Sequence, residues 1–421
     1  MFKVKNHLIF ICFFCLLVVF CITAAKNDKK ASAQKISETE YEAGNAVCAC
    51  IEIINKTETL DLLREYTLLA KVTQENPLHA AEFSADAVVW TSSNPEIITV
   101  DDNGKITAKK PGKAVITASG TDTVKSDSVN MEVIVNPMYL FEKFHIGQAF
   151  GKEVITNGIV SRKQYVTGSV SLYWTGPLNL EKKIIAVNSN LFTGLRASRS
   201  ILKAAEPLKN VRTGILLEEI KYITYHDTGN NSPGADASLH GYYLTSDENI
   251  HNRARSWHYT IDDKKAIQHI PGNEAAWHGD SYDSYAKSIG IETCIGFGSD
   301  LYKVWQRTAK LIASLLIEFN LEPDAVKQHY EWSGKNCPET LRNNDLFEMA
   351  MDMIKAEYYA GKYLTEYNIT FESLNTEYVN HHGNVIKAPV ADTTVSYIVD
   401  IKNNAGYSET KEFISIIKGI K

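Results

Sequence analysis

Hydrophobic and polar positions change rhythm three times along this chain. Between Ile51 and Pro137, short alternating runs such as "AVVWTSSNPEIITVDDNGKITAKKPGKAVITASG" and "SVNMEVIV" are separated by turn residues. Alternation with period two lays one face of each strand on a core. Asn103-Gly104 and Pro111-Gly112 supply the residues that tight turns need, so this stretch predicts a small β-sandwich. From Glu218 to Tyr359 the pattern is mixed. "IKYITYH" and "SIGIETCIG" have the length and composition of buried strands, "SWHYTIDD" and "AIQHI" predict a strand pair, and "ADASLHGYYL" predicts a helix. In "DLYKVWQRTAKLIASLLIEF", Leu301, Val304, Thr308, Leu311, Leu315 and Phe319 recur at helical spacing behind Ser299 or Asp300 as the cap. The tail returns to period two at Val395, Tyr397, Val399 and Ile401, before a turn at Asn403 to Gly406.

A chain of 421 residues exceeds one ordinary core, and these rhythms divide it. The expected order is a signal peptide at 1–33, a linker at 34–50, an all-β sandwich at 51–137, an α/β domain at 211–359 and a C-terminal β module at 360–421. Residues 138–210 carry β-type runs without recognisable chemistry. They are assigned as an N-terminal extension of the α/β domain, with a second β module as the alternative.

The opening "MFKVKNHLIFICFFCLLVVFCITAA" has lysines followed by an apolar run from Leu8 to Ala25, the pattern of an export signal. Ala31-Ser32-Ala33 offers a small-x-small cleavage site. The run is also long enough to span a bilayer if it is not removed, so membrane anchoring depends on cleavage. Bulky Phe20 argues against a lipid anchor at Cys21.

Composition narrows the function. Hydrophobic residues at 44% and charged residues at 22% indicate a globular chain, and a net charge of −6 argues against a nucleic-acid partner. Of seven cysteines, Cys12, Cys15 and Cys21 lie in the signal, leaving Cys48, Cys50, Cys294 and Cys337. Four thiols over so long a chain are no disulfide framework, and a thiol kept in an oxidising compartment needs a reason such as metal ligation.

In "QHYEWSGKNCP", His329 and Cys337 are close enough in sequence to be two ligands of one soft metal ion, or a core cysteine beside an unrelated histidine. His226 ends an apolar strand and precedes "DTGNN", where chains turn and site residues gather, although a histidine there is more often simply satisfied. Glu292 stands among Ile289, Ile291 and Ile295, where a carboxylate without a partner costs desolvation energy.

Taken together, "YITYHDTGN", "WHYTIDD", "AAWHGD", "SIGIE" and "QHYEWSGKNCP" resemble the zinc-dependent N-acetylmuramoyl-L-alanine amidases, whose fold is shared with T7 lysozyme and the peptidoglycan recognition proteins. The likeness is closest to the phage and Bacillus endolysins and covers roughly Leu216 to Ala356. Trp90 to Gly120 resembles bacterial Ig-like domains of the intimin and invasin type. The fold class implied is multidomain: a central α/β amidase domain, its mixed sheet flanked by helices, with Ig-like sandwich modules on both sides.

The resemblance implies Zn²⁺ held by His226, His329 and Cys337, and peptidoglycan as partner at the cell wall. It implies cleavage of the amide between N-acetylmuramic acid and L-alanine by zinc-activated water. Glu292 is the implied general base, and Lys335 faces the developing oxyanion. Some relatives use a tyrosine on the "WHYTIDD" strand; here the matching residue is Trp257, which cannot transfer protons. Asp227, Trp257, His258, Trp277 and His278 are expected in the groove or around the ligands. Two rivals stand: a recognition protein that binds peptidoglycan without cleaving it, and an adhesin with a closed structural zinc site in which Cys294 is the fourth ligand.

Overall fold

The computed structural model describes residues 49–74, 88–120, 126–149, 151–185, 211–246, 249 and 255–420. The expected signal and nearly all of the linker, with Cys48, lie outside these residues. Among the described residues, no helix is long and apolar enough to cross a membrane.

The first domain is a sandwich. One sheet has the order Thr59–Asp61, Ser126–Ile134, Gly112–Gly120, Val88–Ser92, and another the order Glu65–Thr67, Lys105–Ala108, Ile98–Val100. Ile98, Ile106, Ile116 and Met131 fill the space between them, each no more than 2% exposed. Each such side chain contributes roughly 1.5–3 kcal/mol by leaving water. Gly104 turns the hairpin at φ +76°, and a Cβ there would lie 2.5 Å from the Leu68 carbonyl oxygen.

The central domain is built on a six-stranded sheet in the order Leu180–Lys182, Ala266–Gln268, Tyr259–Ile261, Ser288–Thr293, Tyr222–Asp227, Val326–Gln328. Only the 259–261 and 266–268 pair is antiparallel. Strands inside a mostly parallel sheet are covered on both faces, which explains why 222–227 and 288–293 read as apolar runs rather than alternations. Helix Leu301–Glu318, capped by Asp300, buries Leu301, Val304, Thr308, Leu311 and Leu315. Its second side, with Trp305 and Ile312, is buried as well, because helix Phe347–Tyr363 packs alongside it.

Residues 138–185 divide between two bodies. Hairpin Lys152–Thr156 with Arg162–Val166 places Val154 and Val166 in the central core, and strand Leu180–Lys182 extends the central sheet. Helix Pro137–Glu142 and strand Gln148–Ala149 instead complete the C-terminal body, the latter pairing with Ile416 and Ile417. That body is one four-stranded sheet in the order 148–149, 408–417, 393–403, 367–373. Where a separate Ig-like sandwich was expected at 360–421, the described residues thus form a single sheet. Its apolar stripe of Val395, Tyr397, Val399 and Ile401 is covered by Met138, Phe141 and Val170 rather than by a facing sheet.

Candidate metal centre

His226 sits at the end of strand Tyr222–Asp227, in register with Glu292 on strand Ser288–Thr293. Registered residues of parallel neighbours project to the same face, so the sheet itself sets the carboxylate beside the imidazole. His329 begins the short helix His329–Ser333, which Gly334 ends at φ +76°. The left-handed turn sends the chain back, and the Tyr330 N–H donates to the Cys337 carbonyl at 3.1 Å. This is how eight positions of sequence close into two adjacent ligands. Trp332 pins the helix to strand Tyr222–Asp227 by donating its Nε1–H to Thr224 Oγ1 at 3.0 Å.

His226 Nδ1 lies 3.1 Å from His329 Nδ1 and 3.7 Å from Cys337 Sγ, and the three atoms all lie within 4.8 Å of one another. Zinc–nitrogen bonds of about 2.0–2.1 Å and a zinc–sulfur bond of about 2.3 Å at tetrahedral angles separate nitrogens by roughly 3.3 Å and nitrogen from sulfur by roughly 3.6 Å. The donor types fit that ion, and both distances from His226 match the spacing it needs.

The surrounding hydrogen bonds settle where the protons are. His278 Nε2 faces the Ser288 carbonyl at 3.2 Å and must donate to it, so His278 Nδ1 accepts from His226 Nε2–H at 3.1 Å. His329 Nε2–H points at Asp280 Oδ2, 3.0 Å away. Both Nδ1 lone pairs are therefore turned towards each other and call for a cation between them. Burial, with His278 next, holds His226 well below the usual histidine range, and burial pushes the Cys337 thiol up. Imidazoles are thus kept neutral, as metal ligation requires, whereas a thiolate here needs a positive partner.

Glu292 is half-buried at the floor of the cleft, and its Oε2 is closed off from solvent without a hydrogen-bond partner. Burial, then the nearby Asp227 carboxylate, pushes it up to about 8.

Residues 217–340 match the family model described as N-acetylmuramoyl-L-alanine amidase, and residues 69–131 match that of bacterial Ig-like domains, group 2. The amidase match thus falls within the central domain. Over 123 residues the chain is 39% identical to the N-acetylmuramoyl-L-alanine amidase CwlH of Bacillus subtilis strain 168, covering 28% of this chain and 48% of that one. Over 134 residues it is 40% identical to the amidase XlyA of the same organism, covering 31% of this chain and 43% of that one. The chain thus spans about half the length of the curated relatives it matches. The solved catalytic domain of XlyA aligns at 31% identity with 42% of this chain and 99% of its own, with a TM-score of 0.34.

The central domain opens in a cleft of about 890 Å³ lined by all three sulfur and imidazole donors, Glu292, Lys335 and Trp277. Lys335 is exposed at the rim, and Trp277 is partly exposed, packed on Tyr285 with centroids 4.8 Å apart. Trp257 also lines the cleft but is only 4% exposed, and its Nε1–H is taken by Thr260 Oγ1 at 2.6 Å. His258 is fully buried and serves the backbone: it donates to the Glu274 carbonyl at 2.7 Å and accepts from the Gly290 N–H at 2.9 Å. Asp227 accepts the Thr340 N–H at 2.7 Å, tying strand Tyr222–Asp227 to the segment just after Cys337.

Cys294 is not part of this donor group. It lies 3.7 Å from His240 Nδ1, packed with Ala237 and Ile267. Asp280, the anchor of His329, was not singled out from the sequence; its signal is an acidic residue in the tight "HGD" turn, where it adopts φ +58°.

Proposed function

We propose that this chain is an exported, zinc-dependent N-acetylmuramoyl-L-alanine amidase that cleaves the bond between the lactyl group of N-acetylmuramic acid and L-alanine in peptidoglycan at the cell wall. The observation that carries this reading is the convergence of His226 Nδ1, His329 Nδ1 and Cys337 Sγ beside Glu292 on the floor of an open cleft. Zinc bound there supplies Lewis acidity, acidifying water and polarising the scissile carbonyl, and as a dication it draws a neighbouring carboxyl towards its ionised form. Glu292 takes the proton of the attacking water at its unpartnered oxygen and returns it to the leaving amine of L-alanine. Lys335 at the rim places a positive charge near the developing oxyanion. Asp280 and His278 orient the imidazoles, and the Thr340–Asp227 bond holds the loop that presents Cys337.

With Cys294 packed against His240, the three-donor group keeps one coordination position for substrate, which supports catalysis over a closed structural site. Digestion of purified peptidoglycan, followed by mass spectrometry, tests the assignment. Release of stem peptides with a free L-alanine amine, leaving intact glycan strands, is the expected product pattern. Cleaved glycan strands or no released peptide overturns it.

A further inference from the structure

Hairpin 152–166 lies outside the residues matched to the amidase family, yet it is fastened to that domain at several points. The Asn344 side chain pairs with the Ile155 backbone in both directions, at 3.0 and 2.9 Å. Asn231, buried five residues after His226, donates its amide to the Thr156 carbonyl at 2.9 Å and also to the Val160 carbonyl, gripping both flanks of the tip. Gly298 N–H donates to Gln164 Oε1 at 3.1 Å, and the Arg162 guanidinium lies over the Phe297 ring. Gly158 approaches so closely that a Cβ there would be 3.0 Å from the Gly229 carbonyl oxygen.

These contacts fix the tip against the loop that follows the first metal-site histidine. At its end, Ile159 is 101% exposed and Val160 60% exposed, and Ile159 lines the cleft. A lone exposed apolar side chain is ordinary. One carried beside a cleft on backbone anchored at both flanks is positioned to be covered by what enters.

We propose that the hairpin tip is a specificity-determining wall of the cleft, with Ile159 packing on the peptide limb of the substrate; this rests on the amidase reading above. The choice of limb follows from the side chains. Trp277, beside His278, offers the flat aromatic face that suits a sugar ring, whereas a branched aliphatic group suits the methyl groups of an alanine-bearing peptide. Because the hairpin lies outside the family match, the wall distinguishes this chain's cleft from one built by the matched residues alone.

The test compares the full protein with Ile159→Ser and Asn231→Leu on two soluble substrates, N-acetylmuramoyl-L-alanine and N-acetylmuramoyl-pentapeptide. Zinc content, melting temperature, kcat and KM are measured alongside calorimetric binding of the pentapeptide compound. Ile159→Ser is expected to keep zinc and melting temperature and to raise KM for the pentapeptide substrate on the order of fivefold, with a smaller change for the short one. Asn231→Leu, which releases the tip, is expected to lose the same preference. Equal losses on both substrates, loss of zinc in Ile159→Ser, or wild-type KM values overturn the wall. If the wild-type protein cleaves neither compound, the amidase reading fails separately. The wall is then judged by binding: weaker binding by Ile159→Ser upholds it, and unchanged or absent binding overturns it.

Discussion

The Nδ1 atoms of His226 and His329 face each other at 3.1 Å, and each ring has committed its Nε2 proton elsewhere, to His278 and to Asp280. Two opposed lone pairs at that distance are a cation site by electrostatics alone. Asp280 is the more exposed anchor, so its removal leaves the fold intact while freeing the His329 ring to turn. Asp280→Ala is expected to weaken zinc binding about 10- to 100-fold, measured by competition with a chromogenic chelator. Wild-type affinity in that variant removes Asp280 from the site's construction.

Gly290 carries a steric condition for the same centre. A Cβ at this position would lie 2.6 Å from the His278 ring, which in turn holds His226. Gly290→Ala should therefore displace His278, costing about 1–3 kcal/mol of stability and lowering zinc occupancy. Thermal unfolding and metal analysis of the purified variant check both effects. A variant that melts and binds zinc like the wild type contradicts the packing described.

His258 gives the protein an acid limit. Burial holds it down at about 4, against an ordinary value near 6.5, so the unfolded chain binds its proton first as pH falls. The stability it contributes is complete above pH about 6.5 and is lost as pH falls towards 4, amounting to about 3 kcal/mol at most. His258→Leu lowers stability at neutral pH, since it leaves the Gly290 N–H and Glu274 carbonyl unpaired. It is also expected to flatten the pH dependence between 6.5 and 4 in urea-unfolding series. An unchanged slope assigns the acid sensitivity to other groups.

Glu292 acts in the opposite sense in metal-free protein. Its carboxyl is raised to about 8, so between about 4.5 and 8 the folded state keeps a proton that the unfolded state loses, and stability declines as pH rises. Glu292→Gln removes that liability. The metal-free variant should melt higher than metal-free wild type at pH 8 and match it near pH 4.5.

Local chemistry made several elements legible in the sequence. Asn103-Gly104 turns its hairpin, and the helical spacing from Leu301 to Leu315 is that of a buried helix. His226, His329 and Cys337, spread over 111 positions, could be grouped only through the family resemblance, because convergence depends on the pairing of strands 222–227 and 326–328. What stayed hidden depended on long-range partners. Nothing local in 138–185 says that Ala149 pairs with Ile417 while Leu180 joins the central sheet beside Ala266. In the same way, the alternation from Val395 to Ile401 specifies an apolar face but not what covers it. The resemblance put His258 in the groove or around the ligands, whereas its buried ring is spent on two backbone groups, partners that no local sequence pattern reveals.

The most direct measurement pairs zinc analysis with peptide release from purified peptidoglycan for wild type, Cys337→Ser and Glu292→Gln. The account predicts zinc and release in wild type, loss of both in Cys337→Ser, and retained zinc with release reduced at least 100-fold in Glu292→Gln. Undiminished release by Cys337→Ser, or by wild type stripped of zinc, contradicts it.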